Sequence, residues 1–573
     1  MNRREFIKGA MIMGAAVYFS PIIAFGAENL AWWQKKSIYQ VYPKSFFDTS
    51  GSGTGDLRGV IQKLDYIKSL DVGAIWLTPF YPSPMVDNGY DIANYIDIDP
   101  RFGNMDDFDE LIAESDKRGI KIIVDLVFNH SSDQNKWFLE SKSSKNNPKS
   151  DWYIWRDGKN GKPPTNWRGI FGGSAWEWCE EREQYYLHTF ATQQPDLNWE
   201  NPEVRQALYD SANFWLKKGA GGFRIDAIVY IKKPAEFLDG KPDSPDGTCS
   251  IHNIIAATPG ILDFLNEFKE KVFVGRDIFT VAEANGVKPD DLSKWVGENG
   301  VFNTLFEFSH VNLMFENGAE IWHRAKPIRL TELKKSLTDS QKATKNSWYP
   351  IYFENHDRAR SVNVYFPNQN PILAAKALAI ILFSLRGTPF IYQGEELGLE
   401  NAKFESIDDF DDISTRGNYN LARADGLSDK EAMKFANKFS RDNARTPMQW
   451  NSSKNAGFTT ANKAWLPVHS DFKRCNVEIQ EKNPDSVLNF YRKLSKFRNS
   501  SEILLRGEYA ELYPENEDIY VFSRNLGDKK LIICVNFTNR DVKNPIKGGK
   551  KIIGNYSDEK NYLRATEAII YEF

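Results

Sequence analysis

Residues 122–130 read IIVDLVFNH, and three later stretches follow the same plan: GFRIDA at 222–227, TVAEA at 280–284 and YFENHD at 352–357. Each is a short apolar run leading into an acid, namely Asp125, Asp226, Glu283 and Asp357. Near-continuous apolar runs of this length are strands buried on both faces, as in a parallel sheet covered by helices. Working outward, the chain predicts eight strands, at 38–42, 74–78, 122–127, 222–227, 279–284, 305–308, 349–354 and 390–393. Between the first two, Leu57, Val60, Ile61, Leu64 and Ile67 recur at helical spacing. Between the second and third, Phe108, Leu111 and Ile112 do so before Gly119 ends the helix. Eight strands alternating with helices predict an α/β fold, a (β/α)8 TIM barrel.

Two stretches break the rhythm. Residues 131–198 are rich in Lys, Asn, Gly and Trp and far too long for a βα loop, so they form a small domain inserted after the third strand. The tail, 501–573, has strand-like runs at 519–522, 531–536 and 568–571 and no long helix, which predicts an antiparallel C-terminal β domain, a β-sandwich. The barrel is then 28–130 with 199–500. Residues 1–27 carry Arg3-Arg4 ahead of a mildly apolar stretch that ends near Ala24-Phe25-Gly26-Ala27. That is a signal peptide resembling the twin-arginine type, which places the mature chain in the periplasm or outside the cell; an uncleaved anchor is the competing reading. No later run approaches the ~20 apolar residues that span a bilayer. Once the signal is removed no membrane contact is expected, and the chain is read as a monomer.

Composition narrows the function. Of 573 residues, 73 are basic and 77 acidic, a net charge of −4 that offers nothing to a nucleic acid. Aromatic residues make up 14% and there are 16 Trp, side chains that suit stacking on sugar rings as well as large cores. The four cysteines, Cys179, Cys249, Cys475 and Cys534, show no metal-ligand spacing and no disulfide framework. The seven histidines never form HxH or HExxH, which disfavours a zinc hydrolase. In a barrel of this type chemistry sits at the C-terminal ends of strands, where four acids now converge. Two carboxyls flanking an anomeric carbon suffice for glycosidic cleavage without metal or cofactor, one attacking or activating and one protonating the leaving oxygen.

These segments, with QPDLNW at 194–199, stand in the order seen in glycoside hydrolase family 13, the α-amylase family, and the resemblance covers nearly all of the mature chain. DNGYD at 87–91 and SRDNARTPMQW at 440–450 resemble the branch of oligo-1,6-glucosidases, α-glucosidases and sucrose isomerases. The resemblance implies a small-molecule α-glucoside as partner, Asp226 as nucleophile, Glu283 as acid/base and Asp357 as the carboxylate that binds the 2- and 3-hydroxyls. It implies that Arg224 keeps Asp226 ionised, whereas burial and nearby carboxylates raise Glu283. His130 and His356 are expected on glucosyl hydroxyls, Tyr90 as the stacking platform, and Phe171 on the pocket wall. Asp87 and Arg441 are expected to pair and seal the pocket behind one glucosyl unit, giving exo action. Ala227, where α-1,6-preferring members of the branch carry Val, leans toward α-1,4 linkages.

Two departures carry expectations of their own. The family's calcium loop, DxNxDGxGD, here runs from Asp48 to Asp56 with serines at two ligand positions, so no tightly bound calcium is expected. The Arg-Leu-Asp-Arg-Asp motif by which sucrose isomerases steer fructose is absent from 306–315, which favours hydrolysis over isomerisation. A glucosyltransferase such as a sucrose isomerase or trehalose synthase remains the alternative, because it differs only in the acceptor. Replacing Asp226 is expected to abolish turnover with little change in melting temperature.

Overall fold

The computed structural model describes residues 30–244, 246–315 and 320–573. The predicted signal, 1–27, lies outside them, and the folded unit is Trp32–Phe573. Eight parallel strands form its centre: β1 (Ser37–Val41), β2 (Val72–Leu77), β3 (Lys121–Val127), β4 (Gly222–Asp226), β5 (Phe279–Glu283), β6 (Thr304–Phe306), β7 (Pro350–Ile351) and β8 (Thr388–Tyr392). Their order is 6-5-4-3-2-1-8-7, a sheet curled so that β6 and β7 become its two edges. Those edges are tied where the Thr304 hydroxyl donates to the Trp348 carbonyl at 2.8 Å. The fold is the TIM barrel that the strand count predicts.

Strand β7 is two residues long where the apolar run predicts six. Pro350 opposes Thr388, and Ile351 opposes Pro389, so two positions of this short ladder have no N–H to donate. From Tyr352 onward the backbone serves other partners, with His310 Nε2 donating to the Tyr352 carbonyl at 2.8 Å.

The covering helices begin where their caps dictate. Helix α1 (Met105–Lys117) starts at Asn104, whose side chain accepts from Asp106 and Asp107 N–H in a capping box. Helix α2 (Pro202–Lys217) is capped by Asn201, with Pro202 in the first turn. Helix α3 (Pro371–Ser384) is apolar nearly all round and is buried along most of its length, so it belongs to the interior.

The inserted segment holds a helix, Lys136–Lys142, and a three-stranded antiparallel sheet of Trp155–Arg156, Gln184–Leu187 and Trp176–Cys179. A further short strand, Trp167–Arg168, pairs in parallel with Cys249–Ser250 from the long loop after β4. This pairing joins segments about eighty residues apart, and nothing in the sequence pattern predicts it.

The tail forms a five-stranded antiparallel sheet of β9 (Glu508–Leu512), β10 (Ile519–Leu526), β11 (Lys529–Asn536), β12 (Lys550–Gly554) and β13 (Ala568–Glu572), in the order 9-10-11-13-12. A two-stranded ribbon, Val542–Lys543 with Tyr562–Leu563, lies beside it in the chain. Buried Arg524 on β10 fastens this sheet to the barrel by donating to the Ser384 carbonyl at 2.7 Å, and it holds the start of β9 through the Gly507 carbonyl, also at 2.7 Å.

Candidate active site

The ends of β3, β4 and β5 bring Asp125, Asp226 and Glu283 around one cation. Arg224, two residues before Asp226 on the same strand, points to the same face. Its Nη1 donates to Asp125 Oδ1 at 2.9 Å and Asp226 Oδ1 at 2.5 Å, while its Nη2 donates to Glu283 Oε2. Asp226 and Glu283 are thus held on the two prongs of one planar fork. Asp125 is wholly buried and also accepts from Trp76 Nε1 and the Tyr90 hydroxyl, both at 3.1 Å. Ala227, next in sequence, has φ +46°, so the chain turns sharply as soon as Asp226 has been presented.

The electrostatics differ from the expectation for Arg224. Burial pushes Asp226 up to about 6, more than Arg224 pulls it down, and Asp125 adds repulsion in the same direction. Arg224 therefore limits the rise without holding Asp226 in the usual carboxylate range. Glu283 differs too: the sequence places it among carboxylates, and the structure gives it the guanidinium as its contact.

Asp357 lies beyond β7. Its Oδ1 accepts from Arg445 Nη2 at 2.8 Å and Arg441 Nη1 at 3.2 Å. Burial alone would raise it, but His356, Arg441 and Arg445 together hold it well below the usual range, so it stays charged. His356 is buried and its ring is pushed down to about 3, chiefly by burial. Gln40 Nε2 donates to its Nδ1 at 2.8 Å, which leaves the proton of the neutral ring on Nε2. That Nε2 lies 3.2 Å from Asp357 Oδ2 but makes no hydrogen bond of proper geometry, so the ring keeps one unsatisfied buried donor. Tyr90 stacks on His356 at 5.1 Å and 8°. His130, likewise lowered by burial, donates through Nε2 to the Tyr90 carbonyl at 3.1 Å.

One end of the cavity is shut. Arg441 Nη2 donates to Asp87 Oδ1 at 2.8 Å, joining the loop after β2 to the segment after β8. Its guanidinium also pairs with Asp412 at 2.7 Å and lies 5.1 Å from the Phe171 ring. Phe171 is half-buried on the cavity wall and packs on Phe190. The cavity encloses about 740 Å³ and is lined by all eleven predicted site residues except His356, which sits behind Tyr90. Its outer rim comes from residues 320–324 and from helix α4 (Ile413–Ala424).

Several functional positions are not singled out by the sequence. Gln194 Nε2 donates to Asp87 Oδ2 at 3.1 Å and holds the seal from the inserted segment. Gln194 and Arg445 both stand inside the motifs QPDLNW and SRDNARTPMQW, which is the available signal. Trp76 and Asp412 carry none. A buried ion pair, Lys233 Nζ to Asp196 Oδ2 at 2.8 Å, with Asn129 Oδ1 accepting from Lys233 at 3.0 Å, secures the insertion beside His130.

The residues of the Asp48–Asp56 loop do not fit calcium. Asp48 Oδ1 accepts from Ser50 N–H, Ser50 hydroxyl and Gly51 N–H, each at 2.9 Å, and Oδ2 from Gly53 N–H and Thr459 hydroxyl. Asp56 is taken by Thr49 and Gly59 N–H. Both carboxylates meet N–H and O–H donors where a cation would need an oxygen cage.

The family model "Alpha amylase, catalytic domain" matches residues 40–507. The probable oligo-1,6-glucosidase 3 of Bacillus subtilis (strain 168) is 43% identical over 556 residues, covering 94% of this chain and 99% of that protein. The trehalose-6-phosphate hydrolase of Escherichia coli (strain K12) is 42% identical over 510 residues, covering 88% and 91%. Among solved structures, a mutant isomaltulose synthase of Erwinia rhapontici NX5 with sucrose bound superposes with a TM-score of 0.90 at 41% identity, over 95% of this chain and all of that one.

Proposed function

The chain belongs to the α-amylase family and is a glycoside hydrolase, an α-glucosidase; on that premise we propose that it acts by retention, from the non-reducing end, on short α-glucosides such as maltose-like oligosaccharides and sucrose. The observation that carries this reading is the fork of Arg224, which draws Asp226 and Glu283 together. Retaining enzymes keep their two carboxyls ~5–5.5 Å apart, whereas inverting ones leave ~6.5–9.5 Å for a water. Glu283 leaves Arg224 and takes up a proton from water as substrate enters; Asp226 then attacks the anomeric carbon while Glu283 gives that proton to the departing glycosidic oxygen. A glucosyl ester forms on Asp226, and water hydrolyses it with Glu283 as base. Asp357, held ionised on the cavity wall, is placed to bind glucosyl hydroxyls that tighten in the transition state. The Asp87–Arg441 pair closes the cavity at one end, which supports exo action.

A second reading, a sucrose isomerase or trehalose synthase of the same branch, is favoured by the likeness to isomaltulose synthase. It shares these residues and differs in what attacks the ester. Linkage has two indications that point apart: Ala227 toward α-1,4, and the 1,6-glucosidase relatives toward α-1,6. Incubation with maltose, isomaltose, sucrose and trehalose, with detection of the anomer released, tests all of this. Release of α-glucose is expected; isomaltulose, trehalulose or trehalose as main product would replace hydrolysis by the second reading. We also propose twin-arginine export to the periplasm or medium, which cell fractionation tests.

A further inference from the structure

Every arginine lining the cavity is already matched by an acid. Arg224 and Arg441 serve the inner end. In the outer half Arg358 donates to Glu320 at 3.1 Å and lies 5.3 Å from the Phe308 ring. Arg324 pairs with Asp425 at 2.6 Å, and Arg168 with Asp243 at 2.8 Å. No lysine lines the cavity among the described residues. Asp246 lines this half as well; its carboxylate accepts from Thr248 N–H at 3.0 Å and Thr248 hydroxyl at 2.6 Å and has no ion pair among the described residues. The outer half therefore offers neutral pairs and a surplus of negative charge.

A phosphate monoester brings a charge of about −1.5 to −2 near neutrality and binds where free guanidinium or ammonium groups replace its water. None is free here. Among the outer cations Arg358 is the most enclosed, its side chain 14% exposed against 19% for Arg168 and 51% for Arg324, so solvent screens its charge least. Glu320 is the acid that occupies it. We infer that the outer half of this cavity accepts a neutral leaving sugar and turns away a phosphorylated one, with Glu320 setting that choice by neutralising Arg358. The inference rests on the glucosidase reading and narrows its substrate class.

The test compares the best neutral disaccharide of the panel with the same disaccharide phosphorylated on O6 of the leaving sugar. For the unaltered chain kcat/KM should fall by about 100-fold with the phosphate, because like-charge contact costs several kcal/mol. In Glu320→Gln, which keeps size and removes the charge, the ratio of phosphorylated to neutral kcat/KM should rise about ten-fold. Near-equal use of both sugars by the unaltered chain overturns the proposal. An unchanged ratio in Glu320→Gln overturns the role of Glu320. If no neutral glucoside turns over, the glucosidase reading falls instead, and titration calorimetry with the same two sugars still decides charge preference, equal affinities refuting it.

Discussion

Replacing Asp226 with Asn is expected to abolish turnover and, at neutral pH, to raise the melting temperature. The carboxyl is raised from 3.8 to about 6, chiefly because burial outweighs Arg224. At 1.36 kcal/mol per decade this is about 3 kcal/mol, the amount by which the ionised group weakens the fold above about pH 6. Asn has the shape of the protonated acid and carries no such cost. With an unfolding entropy of about 2.1 cal/mol/K per residue, a chain of 573 residues converts that into about 2–3 °C. The sign follows from the direction of the rise: the folded state binds the proton more tightly, so the cost fades as pH falls through 6 and is gone below the unfolded value of 3.8. Scanning calorimetry of both proteins at about pH 7 and about pH 4 measures it. The variant should melt higher at the first pH and level with the parent at the second. A variant that melts lower at neutral pH, or an offset equal at both, would refute the account. This gives a sign and a size to the expected small change in melting temperature by adding the cost of burial.

Three further outcomes are expected. Arg441→Ala leaves Asp87 and Asp412 buried without their cation, so KM on a neutral substrate should rise and stability should drop by about 3–5 kcal/mol, read by kinetics and denaturant melts; an unmoved KM would remove the seal from the mechanism. Asp125→Asn takes away one of the repulsions that raise Asp226, and because the nucleophile must be ionised, the acid limb of kcat/KM should move from about pH 6 to lower pH; a limb that stays or moves up contradicts it. Calorimetric titration with calcium should show no micromolar binding, and a chelator should leave the melting temperature where it was.

Asp226 and Glu283, which close β4 and β5, were legible because a carboxylate stands out at the end of a buried, mostly apolar run; Asp125 lies inside β3 and Asp357 six residues past β7, away from the strand ends expected for them. The partnership of Asp87 with Arg441 was legible only through motif resemblance, since 354 residues separate them. What could not be read was set by distant neighbours. Strand β7 is cut short by prolines on both sides of its ladder, one of them in β8. The pairing of Trp167–Arg168 with Cys249–Ser250 involves two-residue strands, too short for any periodicity. Asp412 caps α4 and so looks like an ordinary helix start, although its carboxylate also holds Arg441. The raised Asp226 depends on total burial, whereas the neighbouring arginine visible in the sequence argues the other way.

The single guanidinium of Arg224 ties together acids from three consecutive staves of the barrel. Asp226 shares its strand, but the contacts with Asp125 and Glu283 cannot form until β3, β4 and β5 have met in register. During refolding, recovery of activity should therefore trail recovery of helical signal, and under mild denaturation it should be the first property lost. The cleft doubles as a gauge of whether its barrel is assembled.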